Sequence, residues 1–279
     1  MPYTISPTEN ASSAENQQAT SLRIWESPQR LNAKYPNGKA TLLGILYTDG
    51  CVSRKSKYTW RMYLGNTSIE IIMTFRACMM NIFGLHSTRI RISEKIVNQK
   101  PYYIAVVDSG RIGNILTTQF GTFRTLSYHE SGRELFPFTR LPFSSKTDEK
   151  IISEFLRAAL SCDGGVNLYI SRSKERKYRS LIRNVFLSCH HPILIREYYE
   201  LLLSLGITSK LLLKDHKIRI ERKEDIQKFQ EKVGFLNGVK ITQHSKYWQG
   251  WEKNTVLSYA LSSYGNVKSI FNLPQFYLG

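Results

Sequence analysis

The spacing of apolar positions changes period several times along the chain, and the changes recur. Two apolar runs, Leu42–Gly50 (LLGILYTDG) and Leu156–Gly164 (LRAALSCDG), read as helices that stop at an Asp-Gly pair. Their aspartates, Asp49 and Asp163, are 114 positions apart. The text downstream recurs too: Arg61–Gly84 aligns without a gap with Arg183–Gly206, at a shift of 122. Each copy predicts a strand, a short loop and an amphipathic helix closed by glycine. Alternating segments then predict strands at Thr88–Ile92 and Tyr102–Val107 in the first half. Lys210–Lys214 and His216–Ile220 are their counterparts in the second. A short helix ends each unit, at Gly121 and at Gly234, a shift of 113.

The unequal shifts put eight extra residues in the first hairpin of the second half, at Ser171–Ser180, and nine fewer around its second hairpin. Hairpin tips lengthen at little cost. Each half therefore reads α-β-β-α-β-β-α, and the fold class is α+β. The expected organisation is a polar, disordered tail over residues 1–22, a first repeat over 23–135, a linker over 136–149 and a second repeat over 150–279. The second repeat includes a last helix at about Asn254–Ser263 and an extended tail.

Small residues stand four apart on one face of each apolar helix, Gly44 and Thr48 in the first, Ala158 and Cys162 in the second. Such pairs let two helix backbones approach closely. Packing the helices this way brings Asp49 and Asp163 side by side, at the negative ends of two helix dipoles. Two carboxylates so placed need cations, and an oxygen-liganded divalent metal is the natural occupant. Carboxylates around metal ions suit phosphodiester hydrolysis.

Composition sharpens the choice of partner. The chain has 279 residues, 42% of them hydrophobic and 12% aromatic, enough for a packed core and too apolar for overall disorder. Its formal net charge is +17, which points to a polyanion, nucleic acid first. No run of 18 apolar residues is present, so a membrane-spanning helix is not expected. The four cysteines form no C-x-x-C pair and read as reduced thiols. With no signal peptide at the N-terminus, an intracellular protein is expected, in a bacterial or archaeal cytoplasm or an organelle, and not a secreted one.

The two Asp-Gly segments resemble the twin motifs of single-chain LAGLIDADG homing endonucleases. Leu42, Gly44, Asp49 and Gly50 match in the first copy, and Leu156, Asp163 and Gly164 in the second. The stretch from Lys217 through Asp225 to Phe235 is also similar to that family's second repeat. Tyr47 and Ser161 replace the first Asp of the consensus, and Arg157 stands where a small residue is usual. The resemblance implies two αββαββα halves about a pseudo-twofold axis, motif helices packed at that axis and two sheets forming a saddle over the DNA major groove. It implies a monomer that cuts both strands of a long, asymmetric site, and intron homing as its role. Asp49 and Asp163 would be catalytic and would bind Mg²⁺ or another divalent cation such as Mn²⁺. The backbone carbonyls of Thr48 and Cys162 would be further ligands. It also implies a lysine near each scissile phosphate, with Lys214 or Lys217 as candidates in the second half and Lys100 in the first.

Basic residues on the strands are the candidates for double-stranded DNA contact. From Gly165 to Lys223 there are 13 Lys and Arg against 5 Asp and Glu. The expected set is Arg54, Lys57, Arg61, Arg89, Arg91, Arg172, Lys174, Arg176, Lys177, Arg179, Arg183, Lys210, Lys214, Lys217 and Arg219. Alternate strand residues share a face, so Arg89 with Arg91, and Lys217 with Arg219, predict a basic face for a groove. His190-His191 reads as a helix cap, Cys162 as a buried small residue, and Trp248, Trp251, Tyr259 and Tyr264 as packing for the last helix. Two rival roles use the same surfaces: an RNA-binding maturase that takes intron RNA, and a regulator that binds DNA without cutting it. Both acids are present, which favours the nuclease. An intein origin is disfavoured by Met1 and the Leu278-Gly279 end.

Overall fold

The computed structural model describes residues 38–172, 179–242 and 245–265. The expected N-terminal tail, the hairpin tip with Lys174, Arg176 and Lys177, and the C-terminal tail lie outside the described residues. The side chains of Arg172 and Arg179 do as well. The first half runs α1 (Gly38–Leu46), β1 (Gly50–Ser56), β2 (Thr59–Asn66), α2 (Ile69–Phe83), β3 (Arg91–Val97), β4 (Lys100–Asp108) and α3 (Gly110–Phe120). A two-stranded hairpin, β5 (Ser127–Tyr128) and β6 (Glu134–Leu135), follows. The second half runs α4 (Glu149–Asp163), β7 (Gly164–Arg172), β8 (Arg179–Ser188), α5 (Leu194–Ser204), β9 (Lys210–Leu212), β10 (Lys217–Ile220) and α6 (Lys223–Lys232). A last helix, α7 (Lys253–Ser262), lies within a residue of its expected place. Each half builds a four-stranded antiparallel sheet in the same order, β1-β2-β4-β3 and β7-β8-β10-β9. The fold is α+β with two repeats.

α1 is buried on every side from Ala40 through Tyr47, as expected of a helix in the middle of a molecule. Its neighbour is α4. A Cβ on Gly44 would lie 2.5 Å from the Phe155 carbonyl oxygen and 2.7 Å from the Ala158 Cβ, so only glycine allows this approach. Three polar residues of the motif segments are engaged by distant partners. Tyr47 Oη donates to the Phe120 carbonyl (3.1 Å), and Ser161 Oγ accepts from the Leu236 amide (2.8 Å). Arg157 donates to the Val233 carbonyl and pairs with Glu154, which ties α4 to the loop after α6.

Each motif helix passes into its first strand at the Asp-Gly pair. Gly164 is extended (φ −119°, ψ 179°), so it is not a left-handed helix cap. It is needed for space: a Cβ there would meet the Phe186 and Leu160 carbonyl oxygens at 2.6 and 2.7 Å. α4 runs straight into β7, and α1 reaches β1 through the turn Tyr47–Asp49, which holds each aspartate at the mouth of a sheet.

Several sequence expectations change. The Thr88–Ile92 strand starts only at Arg91, because Ser87–Arg89 forms a 3₁₀ turn, so Arg89 does not alternate with Arg91. The Lys210–Lys214 strand stops at Leu212, and Lys214 sits in a second 3₁₀ turn, Leu213–Asp215. His216 has a left-handed backbone (φ 51°), and the next strand begins at Lys217. The hairpin alignment slips by one residue. Ser53 pairs with Arg61 in the first sheet, and Asn167, the residue 114 positions after Ser53, pairs with Asn184. The counterpart of Arg61 is thus Asn184, not Arg183, and a slip of one puts a side chain on the other face. The third helices also differ. α3 packs on β1 and β2, but in the second sheet α7 covers β7 and β8, while α6 packs against α7.

His191 caps α5 as expected: Nδ1 accepts from the Ile193 and Leu194 amides, both at 3.2 Å. The C-terminal aromatics pack α7 onto the core, with Trp248 Nε1 donating to the Leu168 carbonyl (2.6 Å) and its ring stacked on Tyr259. No helix among the described residues is long and apolar enough to cross a membrane.

The helix contact can be tested. Gly44→Val overpacks the α1–α4 seam, so Tm is expected to fall by about 5–10 °C, from roughly 2–3 kcal/mol at this chain size. An unchanged melting curve would show that the two helices are not in contact.

Candidate active site and nucleic-acid interface

Both Asp-Gly aspartates lie where α1 and α4 end. Asn66, the last residue of β2, donates from Nδ2 to Asp49 Oδ2 (2.6 Å), while its Oδ1 accepts from the Ser68 amide (2.7 Å). It thereby fixes Asp49 to the start of α2. The Cys162 thiol, from the other motif, lies beside Asp49 and favours its charged form. Burial raises the Asp49 carboxyl above the usual range, and Asn66, Cys162 and Lys253 partly offset it. Asp163 is pushed up to about 8, first by burial, then by the Asp49 charge, with Lys253 opposing. Among the described residues no side chain donates to Asp163. The two acids interact strongly enough that they titrate as a pair.

Lys253, the first residue of α7, is a member of this site that sequence reasoning missed. It is buried, and its Nζ donates to the Ser161 and Gly164 carbonyls, each at 2.7 Å. It supplies a positive charge beside both acids. Burial lowers its ammonium to about 8, against the pull of Cys162, Asp49 and Asp163. One signal was legible: a lysine at a helix N-terminus opposes the helix dipole, so it needs another reason to be there. Asn66 had no such signal, because a polar residue at a strand end is unremarkable.

Cys162 is packed beside Asp49, and burial first, then the Asp49 charge, drives its thiol far from ionisation. That suits a small packing residue and not a nucleophile. Thr48 Oγ1 donates back to the Gly44 carbonyl (2.8 Å), so its hydroxyl is held inside its own helix. No group of three or more His, Cys, Asp or Glu that could hold a metal occurs among the described residues. Any ion here would rest on the two carboxylates, backbone oxygens, water and a ligand, the hard-oxygen, partly hydrated set that suits Mg²⁺. The residues present fit such an ion, because two half-buried carboxylates pushed toward protonation gain most from an added cation.

The profile of the LAGLIDADG-like domain matches residues 38–121 and 150–234, the two segments that carry these helices and sheets. The chain belongs to the LAGLIDADG family. Among solved structures it is similar to mesophilic variants of the homing endonuclease I-DmoI, at 16% identity over 70% of this chain and 88% of that one, with a TM-score of 0.44. I-DmoI in complex with DNA and Ca is 14% identical over 70% of this chain and 88% of that one, with a TM-score of 0.45. The LAGLIDADG homing endonuclease I-SmaMI bound to cleaved DNA is 11% identical over 85% of this chain and 92% of that one, with a TM-score of 0.47. No curated protein matches the chain by sequence.

In this LAGLIDADG chain each sheet has one face buried against helices, through Met62, Leu64 and Val107 in the first and Val185, Leu187, Ile218 and Ile220 in the second. The opposite faces carry the basic candidates unevenly. Arg61 and Arg91 lie on the open face of the first sheet, both paired with Asp108. Lys217 and Arg219 lie on the open face of the second, Lys217 over the Phe186 ring and Arg219 paired with Asp215 and Glu221. Lys210 pairs with Glu221. Arg54 sits over the Trp60 ring and Lys57 over Tyr58 at the hairpin tip, both exposed. Arg89 and Lys214 are exposed on the 3₁₀ turns. Lys100 lines a cleft with Lys240, Thr67 and Ser68.

Arg183 does not join the open face. It donates to Ser263 Oγ (2.5 Å) and the Ser263 carbonyl (3.0 Å), with its guanidinium 4.3 Å from the Tyr264 ring centre. It is an anchor for α7, the consequence of the one-residue register slip.

The two acids make a pH prediction for the metal-free protein. Folded Asp163 keeps its proton up to about pH 8, while the unfolded chain loses it near its ordinary value of 3.8. The folded state binds more protons across that window, so stability falls as pH rises through it. Asp49 shifts the same way, and Lys253 does not release its proton until the window's upper edge. Asp163→Asn should flatten the fall in Tm between pH 5 and pH 8 in scanning calorimetry. Parallel curves for variant and wild type would contradict this electrostatic account.

Proposed function

We propose that this chain is a site-specific double-strand DNA endonuclease of the homing type. The observation that carries the reading is the meeting of the two motif helices, with Asp49 and Asp163 half-buried together where two sheets begin. Membership of the LAGLIDADG family supports it. Asp49 and Asp163, with the backbone carbonyls of Thr48 and Cys162, would hold Mg²⁺ or a similar divalent ion. When bound, such an ion activates water and stabilises the leaving oxygen of a phosphodiester.

The remaining work belongs to the protein's own groups. Asn66 orients Asp49. Lys253 offsets charge between the acids and ties α7 to the end of α4. The open sheet faces form a saddle over the major groove, with Arg61, Arg91, Lys217 and Arg219 directed at DNA. The two halves differ in side chains and in their third helix, so the target is long and not palindromic, and one chain acts alone. Intron homing inside a cell is the corresponding biological role.

The direct test incubates the full chain with Mg²⁺ and duplex DNA spanning its gene's insertion site, with the intervening element removed. Double-strand cleavage is expected. Tight binding of intron RNA without cleavage would replace the nuclease by a maturase. Asp49→Asn should reduce cleavage by on the order of 10³-fold, the loss of several kcal/mol of charge stabilisation. DNA affinity measured by gel shift should survive, and a variant that cuts normally would remove Asp49 from the site.

A further inference from the structure

One carboxylate on the open face of the first sheet holds three cations. Asp108, at the end of β4, accepts from Lys55 Nζ (2.8 Å), from Arg61 Nε (2.9 Å) and Nη2 (3.1 Å), and from Arg91 Nη2 (2.8 Å). The arginines come from the strands on either side: Arg61 pairs directly with Asp108 across β2, and Arg91 pairs with Val106 across β3. The Asp108 side chain is only 14% exposed, whereas Lys55, Arg61 and Arg91 are 46%, 38% and 61% exposed. The acid is covered and the cations face outward.

As a stabilising device this cluster is poor. Exposed ion pairs contribute little, and two further cations on one acid repel each other. The patch keeps a surplus of two positive charges on a face the helices leave open. The arginine geometry is more informative. Arg61 spends one guanidinium edge, Nε with Nη2, on both Asp108 oxygens, so its other edge, Nη1 with Nη2, is turned away from the carboxylate. That edge matches O6 and N7 of guanine in the major groove. An arginine already held in place loses little freedom on binding.

We propose that Asp108 is the positioning residue of a guanine-reading fork, holding Arg61 so that its outer edge reads a guanine in the half of the target beneath the first sheet. Arg91 and Lys55 complete the fork and balance the acid against DNA phosphates. The proposal rests on the nuclease reading only in taking duplex DNA as the ligand.

The test selects binding duplexes from a randomised library, in the absence of divalent metal, using the full wild-type chain, Asp108→Asn and Arg61→Lys. The wild-type pool should fix a guanine at one position. Both variants should lose that preference by roughly tenfold or more while keeping the preferences elsewhere in the site. Arg61→Lys keeps the charge and lacks the fork, so it separates reading from attraction. A guanine retained by either variant overturns the proposal, as does a uniform loss at all positions, which marks a purely structural cluster. A wild-type chain that enriches no sequence sinks the nuclease reading and this inference together. An enriched site indifferent to Asp108 and Arg61 sinks only the inference.

Discussion

The close approach of α1 to α4 is the constraint from which the rest of the molecule follows. The Phe155 carbonyl and the Ala158 methyl occupy the space where a side chain on residue 44 would be. Because the helices touch backbone to backbone, their ends coincide, and Asp49 and Asp163 enter each other's field. Because α4 passes at once into its strand and α1 does so after the short turn Tyr47–Asp49, the same contact sets the placement of both sheets. A bulkier seam would separate the acids and the sheets together.

That geometry has an electrostatic cost that the chain meets unequally. Asp49 has the Asn66 amide to hold it, whereas Asp163 depends on the charge of Lys253. One buried lysine beside two half-buried acids leaves the site short of positive charge by about one unit when all three are ionised, a deficit that favours an added cation. The two acids therefore stand in different surroundings although both close a motif helix with Asp-Gly.

The divergence of the halves extends to the sheets. α7 covers the second sheet where α3 covers the first, and it brings Lys253 to the acids and Ser263 to Arg183. On the open face, the first sheet concentrates its cations around Asp108, while the second balances Lys210 and Arg219 against Glu221 and Asp215. The net charge of +17 is not spread evenly, and part of it is already bound to acids that direct it.

The sequence by itself determined the repeat, the element order and the pair of acids. Apolar periodicity and the Asp-Gly stops are local properties, and small residues four apart on a helix announce a close packing. It also put Lys217 and Arg219 on one open face, because alternation on a strand is local too. Tertiary structure decided the rest. Strand register set Arg183 against α7, since an ungapped alignment could not reveal a slip of one residue. The 3₁₀ turns at Ser87–Arg89 and Leu213–Asp215 took Arg89 and Lys214 off their strands. Lys253 is 90 positions from Asp163 and Asn66 is 17 from Asp49, and only the folded chain brings each to its acid. Periodicity reports which face a residue occupies; it does not report which distant residue meets it there.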